Sequence, residues 1–176
     1  MTVKQNIKVA VDAVVFGYDK KGLSVLLIER KHPDGKKKWA LPGGFVEDDE
    51  SLAKAVKREL KEETNLSLKY LQQFHTFGAV DRDSRGRIIS VAHLVLVSKA
   101  KHKAKSGDDA KDVKWLPISM LPKLAFDHND IVQKATDILR YKLASLTTDC
   151  VEDIPTTADI KLLSTQLKED GDEKKR

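Results

Sequence analysis

The stretch from Gly43 to Leu66, GGFVEDDESLAKAVKRELKEETNL, constrains this chain more than any other. A Pro42-Gly43-Gly44 turn runs into a helical pattern in which Glu59, Glu62 and Glu63 follow Arg58. Residues three and four apart on a helix are neighbours, so the three glutamates share one face within an arc of about 100°. Their mutual repulsion destabilises the helix unless a positive group joins them. Hard divalent cations prefer carboxylate oxygen, and magnesium takes one or two protein carboxylates together with phosphate oxygens and waters. Arg58, one turn from Glu62, is placed to hold a glutamate through a bidentate bond. The two glycines must turn the chain sharply and bring bare backbone close to a neighbouring group.

The rest of the chain supplies strands and a second helix. Residues 7–17, IKVAVDAVVFG, and 23–30, LSVLLIER, are β-branched and aliphatic and flank YDKKG, the pattern of a β-hairpin. Ser51 is expected to cap the acidic helix, with Ala53, Val56 and Leu60 as its buried stripe. Residues 67–80 and 87–99 read as two more long strands joined by DRDSRG, and VKWLPI as a short one. The segment FDHNDIVQKATDILRYKLAS carries Ile131, Ala135, Ile138 and Leu139 at helical spacing. Strands before and between two helices predict an α/β fold, a mixed sheet sandwiched between helices. One domain over residues 1–145 is expected, then an appendage over 146–167, partly helical and packing on the body or on a partner subunit, and a charged tail over 168–176 without order.

Composition narrows the function classes. A chain of 176 residues with 40% hydrophobic content suits one domain. A single cysteine, Cys150, excludes a disulfide framework, and the absence of a cysteine-histidine cluster excludes structural zinc. The N-terminus lacks the apolar core of a signal peptide, and no run approaches the ~18 apolar residues of a membrane span. A cytoplasmic location is therefore expected. The net charge of +5 comes from 32 basic against 27 acidic residues, which reads as a solvated surface with attraction for a small anion, not as a nucleic-acid binder.

Counted from Gly44, the spacing is Gly, five residues, Glu50, seven residues, then Arg58-Glu59-Leu60-Lys61-Glu62-Glu63-Thr64-Asn65-Leu66. This resembles the Nudix box, with a single departure: Asn65 stands where the family has glycine. Asparagine is the next best residue for a left-handed helix end, so the departure puts little at risk. The resemblance implies a Nudix fold and hydrolysis of a nucleoside diphosphate linked to another group. It implies that Glu59, Glu62 and Glu63, with the Gly43 carbonyl, ligand Mg2+ or Mn2+, and that Arg58 and Glu50 orient the cluster. The group that takes the proton of the attacking water varies in the family: it is a box glutamate such as Glu62 or an acid of a later loop. Here that loop holds Asp108 and Asp109, and Asp109 is the favoured candidate.

Beyond the box, LSVLLIER, WALPGGFVE, FHTFGAVDRDSRGRIISVAHLVLV and FDHNDIVQKATDILRYKL resemble the bacterial branch of ADP-ribose pyrophosphatases and nucleoside diphosphate sugar hydrolases. That branch also lends its domain to transcriptional regulators, which add a winged-helix domain for which this chain is too short, so an enzyme is expected. A nucleotide sugar needs cations for its phosphates and a flat platform for its base. Arg30, Arg82, Arg85 and Arg87 are candidates for the first role, Trp39, Phe74 and Phe77 for the second. His93 reads as a hydrogen-bonded sheet residue, and His128 with Asp127 as a helix cap. The resemblance further implies a homodimer. The rival functions are a nucleoside triphosphate pyrophosphohydrolase and a non-catalytic ADP-ribose sensor.

Overall fold

The computed structural model describes residues 6–30, 38–107, 112–145 and 149–173, with side chains as far as residue 168. In order, the chain forms β1 (Lys8–Asp19), β2 (Gly22–Arg30), β3 (Lys38–Ala40), β4 (Gly43–Phe45), α1 (Leu52–Thr64), β5 (Gln72–Phe77), β6 (Ile88–Ser98), β7 (Val113–Pro117), α2 (His128–Ala144) and α3 (Thr157–Glu173). Strand β1 is the axis. Its two alternating sets of apolar residues are both buried, Val14, Phe16 and Tyr18 towards one layer and Val11, Ala13 and Val15 towards the other. A strand covered on both faces requires helices on each side. Helix α1 packs Ala55, Val56 and Leu60 on one face of the sheet. Helices α2 and α3 pack Ile131, Ala135, Leu139, Leu163 and Leu167 on the other. The result is the α/β sandwich that the strand and helix pattern predicts.

Along one edge β1 runs parallel to β6, from Lys8↔Ile88 to Tyr18↔Ser98. Its other edge is shared between two partners, both antiparallel: β2 pairs with the C-terminal half and β4 with the N-terminal half. The two part at Ala13, whose N–H donates to the Pro42 carbonyl at 2.8 Å. A strand that changes partners in mid-course opens the sheet there, and the cleft described below starts at this point. The sheet order is β3-β2-β1-β6-β5, with β4 on β1 and β7 on β2.

Three expectations need correcting. Ala53 is exposed and Ala55 is buried in its place, because the buried arc of α1 runs through Ala55, Val56 and Leu60 to Glu63. The strand expected over 67–80 is confined to Gln72–Phe77. Before it, the N–H groups of Lys69 and Tyr70 donate to the Glu152 carboxylate, so they are not available to a sheet ladder. The C-terminal helix packs on the body, one of the two uses expected for it, but α3 continues to Glu173, past the boundary set at residue 167. Leu163 and Leu167 are fully buried in the main core, Val151 bridges to Leu96, and the Gln166 side chain accepts from the Leu23 N–H at 2.7 Å.

Loss of that anchor has a measurable consequence. Leu163→Ala is expected to cost about 2–5 kcal/mol, as for other large-to-small changes in a core. Leu162→Ala on the exposed flank should stay within about 0.5 kcal/mol. Thermal unfolding of the two variants decides it, and equal effects would show that α3 does not seat on the sheet in solution. Cys150 is a buried free thiol, raised to about 11 by its burial. Among the described residues, no helix is long and apolar enough to cross a membrane.

Candidate active site

Helix α1 is built to present its acidic end to the glycine turn. The Ser51 hydroxyl accepts from the Lys54 N–H at 3.3 Å, capping the first turn. The last turn ends at Asn65, which adopts the left-handed conformation (φ 57°) and returns its N–H to the Lys61 carbonyl at 2.9 Å. Lys61 Nζ then donates to the Asn65 side-chain oxygen at 2.6 Å. Asparagine thus does the work of the glycine expected there. The glycines of the preceding turn are needed for space. A Cβ added at Gly44 would run into the Glu59 carboxylate, and one at Gly43 into the Val11 carbonyl. The Gly43 N–H donates to Glu63 at 2.8 Å, so the turn and the helix meet through bare backbone.

Arg58 sits at the centre of the acidic residues. Its guanidinium donates to Glu50 at 2.6 and 3.1 Å, to Glu59 at 2.9 Å, to Glu62 at 3.1 Å and to the Phe45 carbonyl at 3.1 Å. The Arg58 bond holds the Glu50 carboxyl below its ordinary range. The other carboxylates behave differently. Burial pushes Glu63 up to about 8, against the Gly43 N–H bond that opposes it, and burial likewise raises Glu59 despite its bond to Arg58. Glu59 and Glu63 line the cleft, whereas Glu62 lies outside it, with its side chain 46% exposed and tied to Arg58. Among the described residues, no three His, Cys, Asp or Glu side chains stand close enough together to grip a metal. The three glutamates expected to converge are here divided, because Arg58 supplies the counter-charge for two of them. The donor set nevertheless suits a small hard cation. Two carboxylates whose ionised form is disfavoured by burial gain from a positive partner, and the bare turn at Gly43 leaves room for one.

The floor of the cleft is a buried polar network that the sequence analysis missed. Asp12, in the middle of β1, accepts from the Ser90 hydroxyl and lies 3.5 Å from His128 Nε2 and 3.7 Å from Arg82 Nη2. A carboxylate in an otherwise apolar strand was the signal available, since buried acids are rare unless partnered. His128 Nδ1 accepts from the Leu41 N–H at 2.9 Å, which leaves Nε2 as the protonated nitrogen of the neutral ring, and burial lowers its pKa. Asp127 stands at the N-cap of α2 but makes no side-chain cap bond. Its carboxylate instead takes Arg82 Nε at 2.8 Å and Nη2 at 2.6 Å. Arg82, expected to reach the substrate, is therefore committed to an internal ion pair, with its side chain only 3% exposed.

The other candidates separate by position. Arg30, at the end of β2, and Arg85 line the cleft with Glu59 and Glu63. Arg85 is oriented by Asp83, which accepts from Nε at 3.0 Å and Nη2 at 2.7 Å, and whose own carboxyl stays below its ordinary range through those bonds despite burial that raises it. Arg87 instead braces its turn, donating to the Gly78 and Ala79 carbonyls at 2.6 and 3.1 Å. Trp39 lies on β3 under Lys114, and Phe74 and Phe77 pack against the main core, so none of the three borders the cleft. The aromatic residues that do border it are Phe45 and Phe126. His93 is buried in β6 with Nδ1 3.1 Å from the Val91 carbonyl, as expected for a sheet residue. Asp108 and Asp109 lie outside the described residues. The described end of their loop, Gly107, donates its N–H to the Glu63 carbonyl at 3.1 Å. The cleft holds about 270 Å³, room for the diphosphate part of a small ligand.

The chain is similar to known proteins in both sequence and fold. The chain is 42% identical over 134 residues to the ADP-ribose pyrophosphatase of Methanocaldococcus jannaschii, covering 76% of this chain and 74% of that protein. It is 35% identical to the ADPR responsive transcriptional repressor NtrR of Acinetobacter baylyi, over 71% of this chain and 51% of the repressor. This chain thus spans about half the repressor's length. In fold it is similar to the NUDIX domain of Shewanella oneidensis NrtR in complex with ADP ribose, with a TM-score of 0.70 and 35% identity, covering 77% of this chain and 90% of that one. The NUDIX domain pattern matches residues 6–135, a span that takes in the glycine turn, α1 and the whole sheet. With that span of sequence and fold in common, the chain belongs to the NUDIX domain family.

Proposed function

We propose that this protein is a divalent-metal-dependent pyrophosphatase that hydrolyses ADP-ribose, or a related nucleoside diphosphate sugar, to a nucleoside monophosphate and a sugar phosphate. The observation that carries the reading is the pairing of buried Glu59 and Glu63 with the bare Gly43-Gly44 turn in a cleft walled by Arg30 and Arg85. In this reading Glu59 and Glu63, joined by Glu62 and the Gly43 carbonyl, hold magnesium or manganese. A cation bound there would neutralise phosphate charge and lower the pKa of a bound water. The protein's own groups do the rest. Arg58 and Glu50 keep the carboxylates in place, Arg30 and Arg85 take phosphate oxygens, and the Asp12–His128–Arg82 network fixes the floor on which the substrate lies. Asp109 takes the proton of the attacking water. The likeness to the M. jannaschii pyrophosphatase supports this substrate class, and a cytoplasmic homodimer is the setting expected for it.

ADP-ribose with magnesium is expected to yield AMP and ribose 5-phosphate, with no turnover in EDTA. Product identification across nucleotide sugars and nucleoside triphosphates decides it. Release of inorganic pyrophosphate from a triphosphate at a higher kcat/KM would replace this reading by a triphosphate pyrophosphohydrolase. The repressor relative favours a second reading, a sensor that binds ADP-ribose without cleaving it. Tight binding with no product under any divalent ion would establish that one.

A further inference from the structure

Phe126 carries a backbone conformation that its side chain does not favour. Its φ is 54°, and apart from Asn65 it is the sole non-glycine residue with positive φ among the described residues. For a bulky side chain this region is a genuine outlier, and such strain persists only where the surroundings over-determine it. Here they do. On one side the Ala125 N–H donates to the Trp39 carbonyl at 2.8 Å; on the other Asp127 grips Arg82 and His128 accepts from Leu41. A residue tolerant of φ > 0, such as glycine or asparagine, would meet the same backbone at less cost. The ring must therefore be what the position needs.

The ring's neighbours indicate what for. The Arg30 guanidinium carbon lies 5.4 Å over the Phe126 centroid and that of Arg85 4.8 Å, the latter also 5.2 Å over Phe45. Guanidinium groups are attracted to aromatic faces at this range. Among the described residues Arg30 makes no ion pair, and Arg85 spends only Nε and Nη2 on Asp83. Both cations thus keep N–H donors at the cleft while an uncharged ring limits where they can go.

We propose that Phe126 is a positioning residue: its ring holds Arg30 and Arg85 at the mouth of the cleft, with N–H edges left for the phosphates of a nucleoside diphosphate. This rests on the substrate class proposed above. An aromatic ring does this without competing for the donors, whereas a carboxylate in its place would consume them.

The test is calorimetric titration of ADP-ribose in EDTA, where no turnover is required, together with Tm. Phe126→Leu keeps apolar bulk and removes the π face, and is expected to raise Kd about fivefold to tenfold, while Phe126→Tyr stays within about twofold. In an Arg30→Ala/Arg85→Ala background, Phe126→Leu is expected to have no further effect on Kd. Phe126→Gly is expected to bind as poorly as Phe126→Leu yet keep its Tm within a few degrees, since relief of left-handed strain offsets the lost contact. A Phe126→Leu variant that binds like wild type would overturn the proposal, as would a Kd penalty that survives in the double-arginine background. Wild type that binds ADP-ribose but never cleaves it overturns the hydrolase reading and leaves this one standing. Wild type that neither binds ADP-ribose in EDTA nor cleaves it with magnesium overturns both.

Discussion

Glu63→Gln is expected to lower turnover of ADP-ribose by about 10²–10³-fold, the scale of losing one charge stabiliser in a transition state, while leaving the metal-free fold at least as stable as wild type. The two halves of this expectation have one cause. Glu63 is buried and pushed up to about 8, against roughly 4.3 for a glutamate in an unfolded chain. A group whose folded pKa is raised contributes stability that is full below the unfolded value and is lost as pH rises through the folded one. Between about pH 4.3 and 8, metal-free wild type therefore loses stability relative to Glu63→Gln, which carries no charge at any pH. Magnesium should reverse this, because it favours the ionised carboxylate. Its gain in Tm is expected to be larger at pH 8 than at pH 6 in wild type, and small at both in the variant. Thermal unfolding at the two pH values, with and without magnesium, reads all four quantities. An equal magnesium gain in wild type and variant would remove Glu63 from the metal site.

Arg82→Ala should act through the fold. Removing a side chain that is 3% exposed strands Asp127 and leaves Asp12 with one fewer cation. Breaking a buried pair in this way costs about 3–5 kcal/mol. For a domain of this size that is a fall in Tm on the order of 10 °C. Arg82→Lys should recover little, because an ammonium cannot reproduce the two parallel bonds to Asp127. Arg85→Ala, by contrast, removes a side chain 45% exposed and should raise KM with Tm nearly unchanged. Wild-type Tm in Arg82→Ala together with a large rise in KM would return Arg82 to the role that sequence alone suggests for it.

The contrast among these arginines shows where sequence reading stopped. Arg82, Arg85 and Arg87 share one polar turn, and nothing in their spacing separates an ion pair, a cleft wall and a turn brace. Burial separates them, and burial depends on Asp127 and Asp12, which lie far from the turn in sequence and meet it only in the folded sheet. Phe126 was invisible for a related reason. A backbone angle imposed by contacts on either side leaves no mark on residue type, so the sequence alone points to Trp39, Phe74 and Phe77 and not to Phe126. The C-terminal segment reads as a polar appendage because its apolar residues are few. Leu163 and Leu167 become core only because β1 and β2 leave a face for them.

Local rules were enough for what is local. Runs of β-branched and aliphatic residues foretold β1, β2 and β6, and helical spacing foretold α1 and α2, because both signals follow from local backbone geometry. The Gly43–Leu66 stretch fixed its own helix, its cap at Ser51, its left-handed end at Asn65 and the approach of bare backbone to Glu59, since all of these lie within 24 consecutive residues. The tertiary structure decided how the charges are shared. It gave Arg58 to Glu50, Glu59 and Glu62, buried Glu63 against Gly43, and set Asp12 and His128 beneath them. Charge interactions act through space and depend on burial, so the chain's spacing could place Arg58 beside Glu62 but could not divide it among three glutamates or set Asp12 and His128 beneath them.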